Sequence, residues 1–281
     1  MFMWIFLFSI ALLWILFATI QDVRTREVAN WITFSLLSIG FVSRILFSIS
    51  NGLEMVYFGL MSTLILFSFS MIFYYGRVFA GGDAKLLIGL GMFIPGDTYS
   101  SVFYNSLIFT LSLLLIGAIY SVFWSFYVAI SRKKTFVREF RRYGEYYLVS
   151  TLFVILTFLF SYLLKVNLGI YLIFSIGSFY VLTYPYLRSI DKSMIVLYDP
   201  RKLTPGDWIV EDVKVGNRII RRSVDGLSEK DISFLIRSNK KVLVKEGAPF
   251  VPAFLITFVL MVFFFVLRGQ NFLYQLISFL S

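Results

Sequence analysis

The sequence predicts an all-α polytopic membrane bundle of about eight spans, with a small strand-rich α+β domain before the last span. Three observations predict it. A chain of 281 residues that is 59% hydrophobic, 20% aromatic and 15% charged carries more apolar surface than a globule of this size can bury. Apolar stretches recur at lengths near the roughly 20 residues that a helix needs to cross a bilayer core. Composition also changes abruptly once, at residues 188–248, where 13 Lys or Arg and 9 Asp or Glu gather.

The first 20 residues hold no charge and run into Gln21-Asp22-Val23-Arg24-Thr25-Arg26-Glu27. A secretory signal would have a basic start and a small-residue cleavage site, so this stretch reads as a retained span. Further apolar stretches cover 29–49, 54–75, 84–94, 99–130, 146–165, 168–187 and 250–267. At about 1.5 Å per residue, the fourth is too short to cross unless it starts in a protein-lined cavity or recruits residues near Pro95-Gly96.

Charge supports the count. Arg24 and Arg26, then Arg77 and Lys85, then Arg132, Lys133, Lys134, Arg138, Arg141 and Arg142 mark alternate connections. The turns between them lack Lys and Arg, with Arg44 and Lys165 read as helix-end residues nearby. Basic loops stay in the cytoplasm, so the amino terminus is expected outside, with loop 131–145 and residues 188–248 cytoplasmic. The net charge of +10 then reports topology, and no nucleic-acid partner is expected.

The chain is expected to divide into a helical bundle over 1–187, a soluble module over 188–248 and a last helix over 249–281. Within the module, 195–198, 208–210, 213–220 and 242–244 read as strands, with turns at Pro205-Gly206-Asp207 and Gly216-Asn217. Ser228-Glu229-Lys230-Asp231 reads as a capping box opening a helix through about Arg237, with Ile232, Leu235 and Ile236 on one face.

With no His and no Cys, there is no Ser-His pair, thiolate nucleophile, imidazole metal site or zinc ribbon. No metal or other cofactor is expected. Seven of the 16 acids lie outside the module: Asp22, Glu27, Glu54, Asp83, Asp97, Glu139 and Glu145. Asp22 ends the first span and Asp83 starts the short fourth segment, so topology places both at one membrane face. Two carboxylates at contact share a proton. One then activates water while the other polarises a scissile carbonyl.

Each Asp also has a plainer use, Asp83 as a helix cap and Asp22 as a partner of Arg24 or Arg26. Gly81 and Gly82 favour the catalytic use by letting the backbone bend and a substrate strand approach. Lys85 fits either a contact with an anionic pair or simple snorkelling. Helix dipoles predict an asymmetry, with Asp22 at a carboxyl end and Asp83 at an amino end, so that Asp22 holds the shared proton more often. A transporter or channel remains as a rival use of the two acids, although such sites lie deeper in the bilayer or in broken helices at its midplane.

Gln21-Asp22-Val23-Arg24-Thr25-Arg26-Glu27-Val28 and Ala80-Gly81-Gly82-Asp83-Ala84-Lys85-Leu86-Leu87 resemble the two aspartate motifs of type IV prepilin peptidases, GxGD-type intramembrane aspartyl proteases. Ala80 stands where the second motif has its first glycine. Gly247-Ala248-Pro249-Phe250-Val251-Pro252-Ala253-Phe254-Leu255 is similar to the Pro-containing opening of the last helix in archaeal preflagellin and prepilin peptidases. Presenilin-like and signal-peptide-peptidase-like proteases would instead show Tyr-Asp within a span. The resemblance implies a six-span core, to which 146–187 adds a helical hairpin. It implies that Asp22 and Asp83 are the catalytic pair, with Pro249, Phe250, Val251, Pro252, Ala253 and Phe254 shaping the pocket. Pro249 and Pro252 lack amide donors, which would leave extended carbonyls for a substrate strand; the plainer use is to start a helix. The implied activity is removal of a short basic leader from pilin- or archaellin-type precursors at the cytoplasmic membrane. The Cys-rich methylating region of bacterial relatives is expected to be absent.

Overall fold

The computed structural model describes residues 2–216, 218–223 and 226–268. Six helices among them are long and apolar enough to cross a membrane: α1 (Phe2–Thr25), α2 (Asn30–Asn51), α3 (Glu54–Tyr75), α5 (Tyr99–Ser131), α7 (Gly144–Leu163) and α8 (Leu168–Ser193). Between α3 and α5 lies the short α4 (Gly81–Leu90), extended by a 3-10 turn over Gly91–Phe93. The remaining helices are α6 (Lys133–Arg141), α9 (Glu229–Ser238) and α10 (Val251–Arg268). The apolar segments read from the sequence are therefore all helical, and this is a multi-pass membrane protein. Of the expected last segment, 269–281 lie outside the described residues, as does Asn217 of the expected turn.

The chain packs as two units, one holding the residues up to Val122 and those from Ala248 onward, the other Phe123–Gly247. In the first, α1 and α10 run antiparallel and zip through aromatic rings. Trp4 and Phe8 meet Phe265, and Phe8 also meets Phe258. Leu7, Ala11, Ile15 and Ala18 of α1 are fully buried along the same seam. Outward faces stay apolar, as in Phe17, Phe34 and Leu64, because lipid rather than water is their solvent.

α4 is the irregular member. Ten residues rise about 15 Å, about half of a bilayer core, and the last carbonyls have no partner within the helix, so that other groups must satisfy them. Side chains from three neighbours do so. Ser62 of α3 donates to the Gly91 carbonyl, Arg44 of α2 to those of Met92 and Ile94, and Asn105 of α5 to that of Pro95. Nearer the other end, Ser70 of α3 donates to the Ala84 carbonyl at 2.8 Å. Arg44, expected at a helix end, is instead inside α2 and 1% exposed.

In the second unit, β1 (Ile195–Tyr198) pairs antiparallel with β4 (Val242–Lys245), from Ile195 opposite Lys245 to Tyr198 opposite Val242. β2 (Val213–Val215) and β3 (Arg218–Ile220) form a separate antiparallel hairpin, which divides the expected 213–220 stretch at Gly216 of the expected turn, where φ is +57°. Residues 208–210 do not form a strand. They touch β4 through one antiparallel bridge, Ile209 to Val244, closed by Val210 N–H to the Leu243 carbonyl and Lys245 N–H to the Trp208 carbonyl, both at 2.9 Å. Leu203, Ile209, Val213, Ile220, Leu227, Ile232, Leu235, Val242 and Val244 close the core.

α9 starts at Ser228, whose hydroxyl accepts the Asp231 N–H. Ile236, expected on its buried face, is 43% exposed, because Ile232 and Leu235 already fill the narrow contact of a three-turn helix. The basic run expected as a loop contains α6. Phe136 and Phe140 lie one turn apart and stack on each other, while Phe136 meets Tyr186 edge-on and Phe140 meets Tyr147 at a tilt, which gives the helix an apolar side to bury. Arg132 binds the Ser193 carbonyl and the Glu246 carboxylate. α8 runs to Ser193, past the boundary expected at 187.

Candidate active site

The two carboxylates singled out in the sequence are held by helix amino termini in the first unit. Asp22 lies one turn before the end of α1 and is 5% exposed. Its Oδ2 accepts the Val251 N–H at 2.9 Å, and a second backbone hydrogen bond comes from Phe250. These are the first amides of α10. An anion at that place satisfies orphan donors and meets the positive end of the helix dipole. Arg26, just beyond α1, adds a cationic neighbour.

Asp83 is the third residue of α4 and 9% exposed. Its Oδ2 accepts the Ala80 N–H at 3.2 Å, so it does cap its helix. The charge of Asp22 reaches Asp83, which makes the two electrostatic neighbours across α1 and α4. The dipole setting of Asp22 differs from that expected of a carboxyl end, because α10 presents it with an amino terminus of its own.

The glycines serve packing more than bending. Neither Gly81 nor Gly82 takes a positive φ, and both are helical. A methyl group on Gly82 would meet Val28 of the α1–α2 connection at 3.4 Å, so this glycine lets that connection lie close beside Asp83. Gln21 fixes the same connection by accepting the Ala29 N–H at 3.1 Å. Lys85 donates to Asn30 Oδ1 at 2.7 Å and is exposed; its partner is an amide rather than a carboxylate.

The proline segment divides at Phe250. Pro249 is buried, and Pro252 falls in the first turn of α10, where a missing N–H is harmless. The Phe250 carbonyl accepts Ala253 N–H at 3.0 Å, so residues from Val251 onward begin a helix rather than an extended edge. Phe250 itself joins a ring cluster. Its centroid lies 5.4 Å from Phe79 and 6.0 Å from Phe254, and Phe79 lies 5.1 Å from Phe73. Phe79 immediately precedes the Ala80-Gly81-Gly82-Asp83 motif, so these rings tie the start of α4 to the start of α10. Ala253 and Phe254 are fully buried behind them.

Two contributors escaped the sequence reading. Gly117 of α5 underlies Phe250, since a methyl there would come within 2.3 Å of the ring. Tyr120, one turn on, is half-buried and feels the charges of Asp22 and Arg26. Nothing local in the sequence marks either residue. Among the described residues, no group of three or more His, Cys, Asp or Glu gathers as a metal site.

Residues 9–130 match the family model of the type IV leader peptidase family. Over 100 residues the chain is 31% identical to the preflagellin peptidase of Methanococcus voltae, covering 36% of this chain and 42% of that protein. The matched part thus spans less than half the length of this curated relative. No solved structure matches. The region matched by the family model takes in α1 through nearly all of α5, both aspartates included.

Proposed function

We propose that this protein is a membrane aspartyl endopeptidase of the GxGD type that removes the short basic leader from preflagellin- or prepilin-type precursors. The observation that supports the reading is that Asp22 and Asp83 are both buried and that the charge of Asp22 acts on Asp83, on a chain that has no His or Cys to supply another nucleophile or base. The family match and the preflagellin peptidase relative support the substrate class. Alternation of basic connections supports a dyad at the cytoplasmic face, the side on which a basic leader stays when the apolar helix behind it enters the bilayer.

In this mechanism one carboxylate is ionised and its neighbour protonated. The ionised group takes a proton from water as the oxygen attacks the scissile carbonyl carbon. The neighbour gives its proton to the carbonyl oxygen. Collapse of the tetrahedral diol returns that proton, the amide nitrogen takes the other, and the C–N bond breaks. Val251 and Phe250 amides hold Asp22 in place, so only one of its oxygens needs to face the water.

The test is cleavage of a class III signal-peptide precursor by the purified protein in proteoliposomes, beside Asp22→Asn and Asp83→Asn. Each variant is expected to insert normally and to lose roughly 100- to 10,000-fold in rate. Near wild-type cleavage by either would sink the aspartyl mechanism.

A further inference from the structure

We propose that Arg44 is a positioning residue for the dyad, fixing the depth at which α4 presents Asp83 to Asp22. The inference rests on the leader-peptidase reading for its catalytic readout. Its structural basis is separate.

Arg44 is an arginine enclosed by apolar helices, and among the described residues it forms no ion pair. Its donors go to backbone carbonyls instead. Nε reaches Met92 at 2.7 Å, one terminal nitrogen reaches Ile94 at 2.9 Å, and the other reaches Met55 at 2.9 Å. Its guanidinium also lies over the Trp4 ring, 5.2 Å from the centroid, a favourable setting for a desolvated cation. The guanidinium fork holds three separate carbonyls, which a lysine on its single nitrogen cannot reproduce in the same geometry.

Glycines make the packing around it possible. A methyl on Gly59 would meet the Arg44 stem at 2.3 Å, one on Gly91 would meet the Thr63 backbone at 2.3 Å, and one on Gly40 would meet Met92 at 2.6 Å. α2, α3 and the turn after α4 therefore close tightly around one side chain. That turn continues α4, and Asp83 is at the other end of the same ten-residue helix. A short helix moves as a rod, so an axial slip at Met92 becomes an axial slip at Asp83. Ser62 and Asn105 hold the adjacent carbonyls and share the task. Asp22 is tied to α10 rather than to α4, so slip of α4 changes the separation of the carboxylates.

The experiment compares Arg44→Lys with wild type in two readouts. In proteoliposomes with a prepilin-type precursor, the expected result is a fall in kcat of roughly 10- to 100-fold, with KM nearly unchanged and the pH profile displaced. Because the sequence has no Cys, spin labels on a Val23→Cys, Lys85→Cys pair report the α1–α4 distance directly. That distribution is expected to broaden or shift in the Arg44→Lys background. Unchanged kcat, pH profile and label distance, with only a lower melting temperature, would reduce Arg44 to a structural role. If Arg44→Lys does not insert, Ser62→Ala and Asn105→Ala each remove one carbonyl contact and are read the same way; wild-type behaviour in both overturns the proposal. Continued cleavage by Asp22→Asn or Asp83→Asn would instead remove the catalytic reading, and the label distance alone would still judge the positioning.

Discussion

Asp22 takes its backbone donors from Val251 and Phe250, while Asp83 takes its own from Ala80. Each carboxylate thus has a hydrogen-bonded oxygen. A pair sharing one proton works only in its singly protonated form. Below the first titration both groups hold protons and no base remains; above the second neither does and no acid remains. Cleavage is therefore expected to rise and then fall with pH, and a rate that keeps rising through alkaline pH would contradict a shared proton. Gly117 offers a second test at this scale. In Gly117→Ala the new methyl displaces the Phe250 ring, and overpacking of this kind costs about 1–3 kcal/mol. A lower melting temperature in detergent and slower cleavage are expected; an unchanged melting temperature would mean that the ring relocates without cost.

At the scale of elements, the parts governed by local pattern were readable from the sequence. Apolar runs marked the helices, and 84–94 announced its own insufficiency by being too short. Ser228 marked the start of α9, which yields a prediction: Ser228→Ala removes the acceptor for Asp231 N–H, at about 1 kcal/mol. Amide exchange in the first turn of α9 should then quicken by roughly fivefold, and equal exchange rates would show the cap to be idle. What escaped the sequence depends on distant partners. Arg44 read as a helix-end residue because the carbonyls it binds lie 48 and 50 residues away. α6 was hidden because its charge count drew attention from Phe136 and Phe140, which need Tyr186 and Tyr147 to bury them. Gly81 and Gly82 were legible as part of the candidate motif, but their closest packing partner, Val28 against Gly82, was not.

For the whole molecule, every residue placed at the candidate site belongs to the unit that joins the beginning of the chain to α10. The second unit interrupts that assembly in sequence without supplying any of those groups. A chain ended at Ala248 keeps both aspartates and loses the amides that hold Asp22. It is expected to insert, to keep α1 to α5 helical by circular dichroism, and to leave the precursor uncut. Cleavage by that shortened chain would show that α10 is dispensable for the dyad.

The bond from Val251 to Asp22 spans 229 positions of sequence, and it therefore also sets an order in time. Ribosomes add roughly 5–20 residues each second, so Asp83 enters the membrane on the order of ten seconds before Val251 is made. During that interval the two acids exist in a nascent bundle that cannot yet orient Asp22. On the proposed leader-peptidase reading, the dyad is in this way left unsupported until α10 arrives, and the arrival of α10 becomes its activation step.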